Sequence, residues 1–395
     1  MKSKFISNYQ IELIGQSHDD FFTIAMNNVK SGYLINIASL DLNLKLRSPH
    51  QVYNTKRIEN SHYEIISGLE RIDDNYYQTN GQLLKIKFFN NNTKSNDYEA
   101  LKYQYRPGHI DYIASLKDHN HHLAGGGHFS GRLTEGLVFI GSICEQILKK
   151  DNPNLDIFTH VLTSLGIKDD AYYDLKKHYF NNVVAEYLST YQNQDLLKLA
   201  QEYHNLVLKR LYQYQHQYLN EGIFMINVEQ YHKLINKIDE SLKTTFNGHL
   251  ETIIINPPAL LGQTWFNSLE SKISQFMYAI PGIKGVIFGN YQHDQLGCDI
   301  QEQYLYYDDK QALTYHNYNG GINGGLSNGE DIVFTSILKP LASTMMIFDT
   351  YNFKEKKITP LNIAGRHDQT IINRVIPIIN ACTYLALYDE ILVKS

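Results

Sequence analysis

The order of strand-like and helix-like segments along the chain is the feature that most constrains its fold. Alternating or short continuous apolar runs predict strands, whereas apolar residues three and four apart predict helices. Both kinds of segment occur without a regular βαβ rhythm, and no internal repeat is evident. A doubly wound parallel sheet requires that rhythm, so the pattern favours an α+β layer architecture.

The elements can be placed from the same patterns. Strands are predicted at residues 9–14, 83–89, 251–255, 285–289 and 331–338. One helix is predicted after Ser130 as its N-cap, with an apolar face of Leu133, Leu137, Ile140, Cys144 and Ile147. Another is predicted to open at Gly365-Arg366-His367-Asp368 and to run through Ile391. The stretch at about 169–250 is mainly helical, carries no chemical motif, and is interpreted as a scaffold or inserted lobe.

Charge and hydropathy restrict the class of partner. The 395 residues carry a formal net charge of -5, whereas nucleic-acid binding requires a basic face. Any bound anion must therefore meet a local cluster of cations. No signal-peptide pattern follows the N-terminal lysines, and no apolar run approaches the roughly 18 residues of a membrane span. We expect a cytoplasmic protein with no nucleic-acid or membrane partner.

Neither the cysteines nor a histidine tract predicts a metal site. The three cysteines are Cys144, Cys298 and Cys382. They are far apart and lack ligand spacing, so we interpret them as reduced and structural. The tract contains His119, His121 and His122, but no carboxylate or cysteine completes a ligand set. A solvated loop is the preferred interpretation of this tract.

Two histidines occur where the chain is predicted to turn. His18 follows the first strand, in a polar loop at residues 15–20. A lone histidine is more often solvated or buried than catalytic, although loops at strand ends concentrate functional residues. His109 follows a Pro-Gly turn and lies near Asp111, which could orient it as an acid or base near neutral pH. The alternative for His109 is a simple turn.

Two glycine-rich segments could contact a ligand. The triple glycine at 125–127 precedes a helix, where backbone N–H groups can face an anion. The alternative is a flexible hinge, but Arg132 favours an anion site. The spacing matches neither the P-loop nor the dinucleotide fingerprint. The glycine pairs in 320–329 indicate positive φ or a backbone lying flat against a planar ligand.

Polar residues also occur at the ends of two late elements. Lys339 follows the strand at 331–338 and could neutralise a phosphate, or it could be an exposed strand-end lysine. Arg366, His367 and Asp368 bring one anion binder and two acid–base groups to the start of the C-terminal helix. The alternative is that Asp368 simply caps that helix.

Taken together, these motifs resemble those of the chorismate synthase family in identity and in order. The matching segments are Gly15-Gln16-Ser17-His18, Arg106-Pro107-Gly108-His109-Ile110-Asp111-Tyr112, Gly125-Gly126-Gly127 with Ser130 and Arg132, 320–329, Lys339-Pro340, and Gly365-Arg366-His367-Asp368. Six segments in one order, between residues 14 and 391, make the resemblance specific.

The resemblance implies both a fold and a reaction. The fold would be an α+β sandwich of antiparallel sheets and helices in one large domain, residues 1–395, with a longer helical insert at about 169–250 and a homotetrameric assembly. The reaction would be the anti-1,4-elimination of phosphate from 5-enolpyruvylshikimate 3-phosphate, which gives chorismate and requires reduced FMN without net redox change. NADPH could reduce the flavin on the protein itself; the loss of several family arginines favours a separate flavin reductase.

The resemblance also implies roles for individual residues. His18 would protonate the departing phosphate, His109 would protonate the reduced flavin, and Asp368 would help the flavin N5 accept the substrate proton. The substrate-binding arginines would be Arg47, Arg132 and Arg374. The residues contacting FMN would be His128, Phe129, Ser130, Pro281, Gly282, Gly324, Lys339, Pro340, Leu341, Ala342, Ser343 and Arg366.

Several family residues are replaced in this chain. His128 and Phe129 stand in place of an arginine and a serine, and Leu137 in place of an arginine. Pro281-Gly282 replaces Asn-Ala. Each missing charge-assisted hydrogen bond would weaken anion binding by about 1.5–3 kcal/mol. The alternatives are a non-catalytic or altered flavin-binding paralogue, or another flavin-dependent lyase or reductase.

Overall fold

The computed structural model describes most of the chain. It covers residues 2–48, 61–90, 103–117, 126–179, 225–240, 244–291, 295–302, 304–307, 312–344, 346–363 and 368–394, with isolated positions between 202 and 212. The strands are β1 (Lys2–Ile6), β2 (Gln10–Ile14), β3 (Phe21–Met26), β4 (Leu34–Asn36), β5 (Tyr63–Ser67), β6 (Leu69–Arg71), β7 (Tyr76–Thr79), β8 (Leu84–Phe89), β9 (Asp156–Ser164), β10 (Ile167–Lys168), β11 (Gly248–Ile255), β12 (Ile283–Phe288), β13 (Tyr304–Tyr307), β14 (Ala312–Thr314), β15 (Ile322–Asn323), β16 (Leu326–Ser327), β17 (Ile332–Leu338), β18 (Phe348–Asn352) and β19 (Lys357–Leu361).

Helices separate several of these strands. The α-helices are α1 (Ile37–Arg47), α2 (Asp111–Lys117), α3 (Thr134–Asp151), α4 (Ala171–Tyr179), α5 (Val228–Glu240), α6 (Leu269–Ala279) and α7 (Ile372–Lys394). Short 3₁₀ turns lie at Gly127–Phe129, Gly131–Leu133 and Trp265–Asn267.

Two five-stranded antiparallel sheets form the framework. The first has the order β1-β2-β3-β8-β5 and the second β10-β9-β11-β17-β12. In the first sheet burial alternates along the strands, so that Phe22, Ile24 and Met26 of β3 are buried together. This alternation follows from the two-residue period of a strand and gives the sheet one apolar face.

A layer of helices lies between the two sheets. On one side α3 packs against β3, where a Cβ on Gly136 would lie 3.0 Å from an atom of Ile24. On the other side α7 packs against β9 and β11. The two helices cross closely at Gly141, because a Cβ there would lie only 2.6 Å from Cβ of Ala381. The main core therefore fills a sheet–helix–sheet sandwich, which confirms the α+β prediction.

The second sheet is also covered on its outer face. Phe158, Ile253 and Val333 form a separate buried cluster there with Tyr172 and with Val207, which both belong to the stretch predicted as an insert. The insert thus supplies apolar side chains to a sheet face that would otherwise meet water. Its assignment as an addition to a single domain of residues 1–395 stays a prediction.

The predicted strands correspond to β2, β8, β11, β12 and β17, with bounds that differ by a few residues at most. The N-cap prediction for Ser130 is wrong for α3. Its side chain accepts the N–H of Arg132 and caps the 3₁₀ turn instead, and α3 begins at Thr134 without a side-chain cap. At α7 the Thr370 hydroxyl accepts the N–H of Ile372.

One stretch among the described residues, Ile372–Leu392 of α7, is long and apolar enough by composition to cross a membrane, with a mean hydropathy of 1.4. The expectation that no run approaches this length is therefore wrong. Because 72% of this stretch is buried inside the protein, it has the burial of a core helix.

Candidate active site

A cavity of about 850 Å³ lies where several loops and element ends meet, and it is of the size of small-molecule sites. Its wall contains the loop after β2, the turn before α2, the turn before α3, the C-terminal end of α6, the segment after β17 and the first turns of α7. His18, His109 and Asp368 all line it. Residues far apart in sequence are therefore brought to one cavity.

The loop that carries His18 is fixed at its base by Gly15. Gly15 has φ +121°, and a Cβ there would lie 2.8 Å from Cβ of Phe22. Only glycine accommodates both the conformation and the contact without strain. Beyond it, the Ser17 hydroxyl lies 3.0 Å from Nδ1 of His18. The half-buried imidazole is thus held at the cavity edge by its neighbour in the chain.

The loop of His18 is also bonded to the turn before α3. The N–H of Ser17 donates to the Gly127 carbonyl at 3.2 Å, and Arg132 Nη1 donates to the Ser17 carbonyl at 3.1 Å. The His128 ring nitrogen Nδ1 lies 2.7 Å from the Gly15 carbonyl, to which it donates. The two segments therefore form one rigid wall of the cavity.

His109 lies on the predicted turn. Gly108 has φ +69°, and the N–H of His109 donates to the Arg106 carbonyl at 3.2 Å. His109 Nδ1 lies 2.6 Å from Oδ1 of Asp111. Burial alone would raise the pKa of Asp111, but hydrogen bonds from Arg106 and His109 outweigh it and hold that pKa well below its usual range.

Asp368 is held by the first turn of α7. Its Oδ2 accepts a hydrogen bond from Nη1 of Arg374 at 3.1 Å, and both side chains are mostly buried. The Nε of Arg374 donates to the Arg47 carbonyl at 3.2 Å. Arg47 is 2% exposed and donates from Nη2 to the carbonyls of Gly131 and Arg132. The predicted substrate-binding arginines thus connect α1, α7 and the turn before α3.

Most residues predicted to contact FMN also line the cavity. They are His128, Phe129, Ser130, Pro281, Gly282, Lys339, Pro340, Leu341 and Ala342. The Lys339 backbone N–H donates to the Gly282 carbonyl at 2.9 Å, and its Nζ donates to the Gly108 carbonyl at 2.8 Å. The segment after β17 is therefore fixed to both α6 and the turn of His109.

Two of the predicted residues that the structure describes are not in this wall. Ser343 lies just behind it, with its hydroxyl 3.4 Å from Nη1 of Arg106. Gly324 lies in the β15–β16 hairpin, where the neighbouring Gly325 carbonyl accepts the N–H of Leu269 at the start of α6. The opposite end of this 11-residue helix lines the cavity, roughly 15 Å away by helical rise. Arg366 lies outside the described residues, as does the tract His119, His121 and His122.

Basic residues dominate the charged part of the wall. Those among the described residues are Arg47, Arg106, Lys117, Arg132, Lys284, Lys339 and Arg374, whereas Asp368 is the carboxylate that lines the cavity with them. Sequence reasoning did not select Arg106, Lys117 or Lys284. Arg106 lies within a recognised motif and could have been chosen there. Lys117 and Lys284 are exposed lysines on a helix and an edge strand, and no local pattern distinguishes them.

The structure supports a place for FMN in this cavity on chemical grounds. Leu341, Ile371, Val375 and Ile378 give one part of the wall an apolar surface suited to a flavin ring, and Lys339 offers a cation to its phosphate. The volume is near the upper end of the range for ligand sites, which leaves room for a second small molecule beside it.

Comparisons with known proteins agree with this architecture. The chorismate synthase of Lancefieldella parvula is 29% identical over 394 residues, covering 99% of this chain and 96% of the relative. The chorismate synthase of Methanococcus vannielii is 28% identical over 399 residues, covering 98% of this chain and 96% of the relative. A crystal structure of a chorismate synthase superposes with a TM-score of 0.66 over 98% of this chain and 92% of the other, at 18% identity, and so shows the same fold. Because the sequence profile of chorismate synthase matches residues 9–392, the chain belongs to the chorismate synthase family.

Proposed function

We propose that the chain catalyses the anti-1,4-elimination of phosphate from 5-enolpyruvylshikimate 3-phosphate to give chorismate, with reduced FMN and without net redox change. Membership of the family makes the chain a lyase of the shikimate pathway. The observation that carries the finer proposal is the position of His18, His109 and Asp368 in one cavity with a basic wall. That combination suits a reaction in which protons move beside a departing phosphate.

The basic wall would bind the anionic substrate. The phosphate and two carboxylates of the substrate need several cations, and charge-assisted hydrogen bonds to arginine are the strongest available. Arg132 and Arg374 line the cavity close to His18 and Asp368 respectively, as their hydrogen bonds to Ser17 and Asp368 show. We assign these two arginines to the substrate, while Arg47 holds the backbone between them.

His18 would act as the acid at the leaving group. When the Ser17 hydroxyl donates to Nδ1, the proton of the neutral ring lies on Nε2. We assign that Nε2 proton to the departing phosphate oxygen. Proton transfer of this kind typically accelerates a reaction by about 10²–10⁴-fold.

His109 and Asp368 would handle the other protons. His109, whose Nδ1–H donates to Asp111, would transfer a proton from Nε2 toward the cofactor as the imidazolium cation, which carries a proton on both ring nitrogens. Asp368, fixed by Arg374, would assist removal of the substrate's ring proton. Reduced FMN, when bound, supplies electron density that protein side chains cannot.

The remaining expectations complete the proposal. The turn at 128–130, Pro281-Gly282 and the segment from Lys339 to Ala342 would hold FMN, with Arg366 as a further predicted contact. Gly324 lies roughly 15 Å from this cavity and is not assigned to it. We propose a cytoplasmic homotetramer whose flavin is reduced by a separate reductase; flavin reduction by NADPH on the protein itself is the alternative. Light scattering on the 45.7 kDa chain would measure the assembly.

A second candidate is a non-catalytic or altered flavin-binding paralogue. Leu137, which stands in place of a family arginine, packs against the apolar core and brings no charge to the cavity. Nδ1 of His128 donates to the Gly15 carbonyl rather than to a ligand. These observations favour weaker anion binding than in other family members.

One assay separates the two candidates. Purified protein, chemically reduced FMN and the enolpyruvyl phosphate substrate are mixed under anaerobic conditions, and chorismate is followed by its absorbance. Our proposal predicts chorismate formation that depends on reduced FMN. Clear flavin binding with no chorismate would favour the paralogue.

A further inference from the structure

Asp111 lies directly behind His109. His109 lines the cavity, whereas Asp111 is not among the lining residues, and its side chain is 9% exposed. Asp111 is the first residue of α2, so its position is fixed by the start of a helix as well as by the turn. Because Asp111 does not line the cavity and His109 does, we expect its effect on chemistry to act through the imidazole.

The acceptor positions of this carboxylate are fully used. Oδ1 accepts from His109 Nδ1 at 2.6 Å and from Arg106 Nη2 at 2.7 Å. Oδ2 accepts from Arg106 Nε at 2.7 Å and from the Arg106 backbone N–H at 3.1 Å. A carboxylate has about four lone-pair sites, so none remains. The bidentate pair with Arg106 orients the carboxylate within a narrow range of angles.

The same cluster fixes His109 relative to the segment after β17. Arg106 Nη1 lies 3.4 Å from the Ser343 hydroxyl, and Lys339 Nζ donates to the Gly108 carbonyl at 2.8 Å. The turn is therefore connected at two points to the segment after β17, of which we assign Lys339 to Ala342 to FMN. Because its guanidinium pairs with Asp111, Arg106 serves to hold the carboxylate in place.

We propose that Asp111 is the positioning residue of His109: its carboxylate keeps a proton on Nδ1 and so leaves Nε2 as the atom that exchanges a proton with a ligand in the cavity. The inference rests on the proposed function, because that function gives His109 its task. A carboxylate can only accept a hydrogen bond, so Nδ1 must be the donor.

Asp111→Asn tests this with little change of shape. The amide can place an N–H opposite Nδ1, which disfavours the imidazolium and favours the neutral tautomer with its proton on Nε2. The equivalent exchange in the serine protease triad preserves geometry and lowers kcat about 10⁴-fold, because the tautomer is wrong. Asp73→Asn is the matched control, since Asp73 also accepts backbone N–H groups in a turn but lies outside the cavity wall.

Two measurements are made on the full-length protein. For Asp111→Asn we expect kcat to fall by about 10²–10⁴-fold, while the Kd for oxidised FMN changes less than about threefold. Solid-state NMR of protein labelled with ¹⁵N-histidine, assigned by difference from His109→Gln, reports which ring nitrogen carries the proton. We expect a protonated Nδ1 in the wild type and a proton shifted to Nε2 in Asp111→Asn.

The outcomes separate this inference from the proposed function. A wild type that forms no chorismate contradicts the proposed function, yet the NMR measurement still tests the arrangement at Nδ1. A wild-type His109 with bare Nδ1 at neutral pH overturns the inference, even if Asp111→Asn does not fold. A folded Asp111→Asn that retains wild-type kcat and the wild-type tautomer overturns it as well.

Discussion

Some side chains in the cavity wall hold the backbone of the wall in place as well as contributing charge. Arg47 was predicted by resemblance to bind substrate, but its buried guanidinium donates to two carbonyls and to the Thr134 hydroxyl. These acceptors belong to the turn that enters α3 and carries Arg132. The burial and bonding of Arg47 could not be read from sequence, because its partners lie more than 80 residues away along the chain.

Arg47→Met should therefore destabilise the protein, in addition to any effect on binding. Removing the guanidinium leaves buried acceptors unsatisfied, which costs about 1–3 kcal/mol of unfolding free energy. Lys45→Met, at an exposed position of the same helix, should change the unfolding free energy by less than about 0.5 kcal/mol. Urea denaturation measures both variants. Equal stability of the two would contradict the structural role of Arg47.

A second buried residue, which does not line the cavity, links stability to pH. His160 of β9 is completely buried, with Nε2 2.9 Å from Oε2 of Glu251 and Nδ1 3.9 Å from Asp169. Burial alone would lower the pKa of His160, but the hydrogen bond that its Nε2–H donates to Glu251 and the charges of Glu251 and Asp169 outweigh it and raise that pKa. The folded protein therefore holds this proton more strongly than the unfolded chain does.

The stabilisation from His160 should be complete below the ordinary histidine pKa of about 6.5 and lost as pH rises through the raised folded value. Between these two pKa values, the contribution of His160 to the free energy of unfolding falls by up to about 1.4 kcal/mol per pH unit. Denaturation between pH 6 and 9 should show a smaller slope for His160→Gln than for the wild type. His232→Gln, at an exposed position of α5, should keep the wild-type slope, and identical slopes in all three proteins would rule out this linkage.

At the scale of elements, the crossing of α3 and α7 fixes the centre of the molecule. Gly141 makes the close approach possible, because a Cβ there would meet both the Cβ and the carbonyl oxygen of Ala381 at 2.6 Å. The first turns of α7 place Asp368 and Arg374, and the turn before α3 places Arg132. The two helices that cross at Gly141 are thus the ones whose N-terminal ends carry cavity residues.

Gly141→Val should force the helices apart. Overpacking of this kind costs about 1–3 kcal/mol, and we expect the loss to appear in thermal unfolding together with weaker FMN binding. Gly297→Ala is the control, since a Cβ there has no atom within 4 Å. A Gly141→Val protein with wild-type Tm and flavin affinity would show that the crossing is not tight.

Several elements could be predicted from local pattern. The strand β2 alternates and the helix α3 has apolar residues at helical spacing, whereas β17 and the helix α7 are long apolar runs next to turn residues. The pairing of β9 with β11 could not be predicted, because the insert separates them in sequence. Nor could the β18–β19 hairpin, whose residues are largely exposed and carry no clear alternation. Among the residues that line the cavity, those in the recognised motifs could be predicted from the sequence. Lys117 and Lys284 could not, because only tertiary packing brings them to the cavity.

At the scale of the whole molecule, an acidic chain surrounds a basic cavity. The net charge is -5, yet seven cationic residues line the wall beside Asp368. An anionic ligand is therefore repelled weakly at a distance and attracted strongly inside. This distribution agrees with the expectation that a local cluster of cations would be needed.

Binding of the substrate should consequently weaken with salt. Raising the ionic strength from about 0.05 M to about 0.5 M shortens the screening length and should raise KM severalfold, while kcat changes little. Lys117→Gln, which removes an exposed cation of the wall, should give a higher KM at low salt and a smaller salt dependence. Lys85→Gln on β8, outside the wall, is the control. A KM independent of salt would contradict binding by this cluster.

The claim that His18 and Asp368 carry out the chemistry within one cavity is tested most directly by chorismate formation in three proteins: the wild type, His18→Ala and Asp368→Asn. Under anaerobic conditions with reduced FMN, we expect the wild type to turn over and each variant to remain folded but to lose about 10²–10⁴-fold in kcat. Wild-type rates in both variants would contradict the assigned roles.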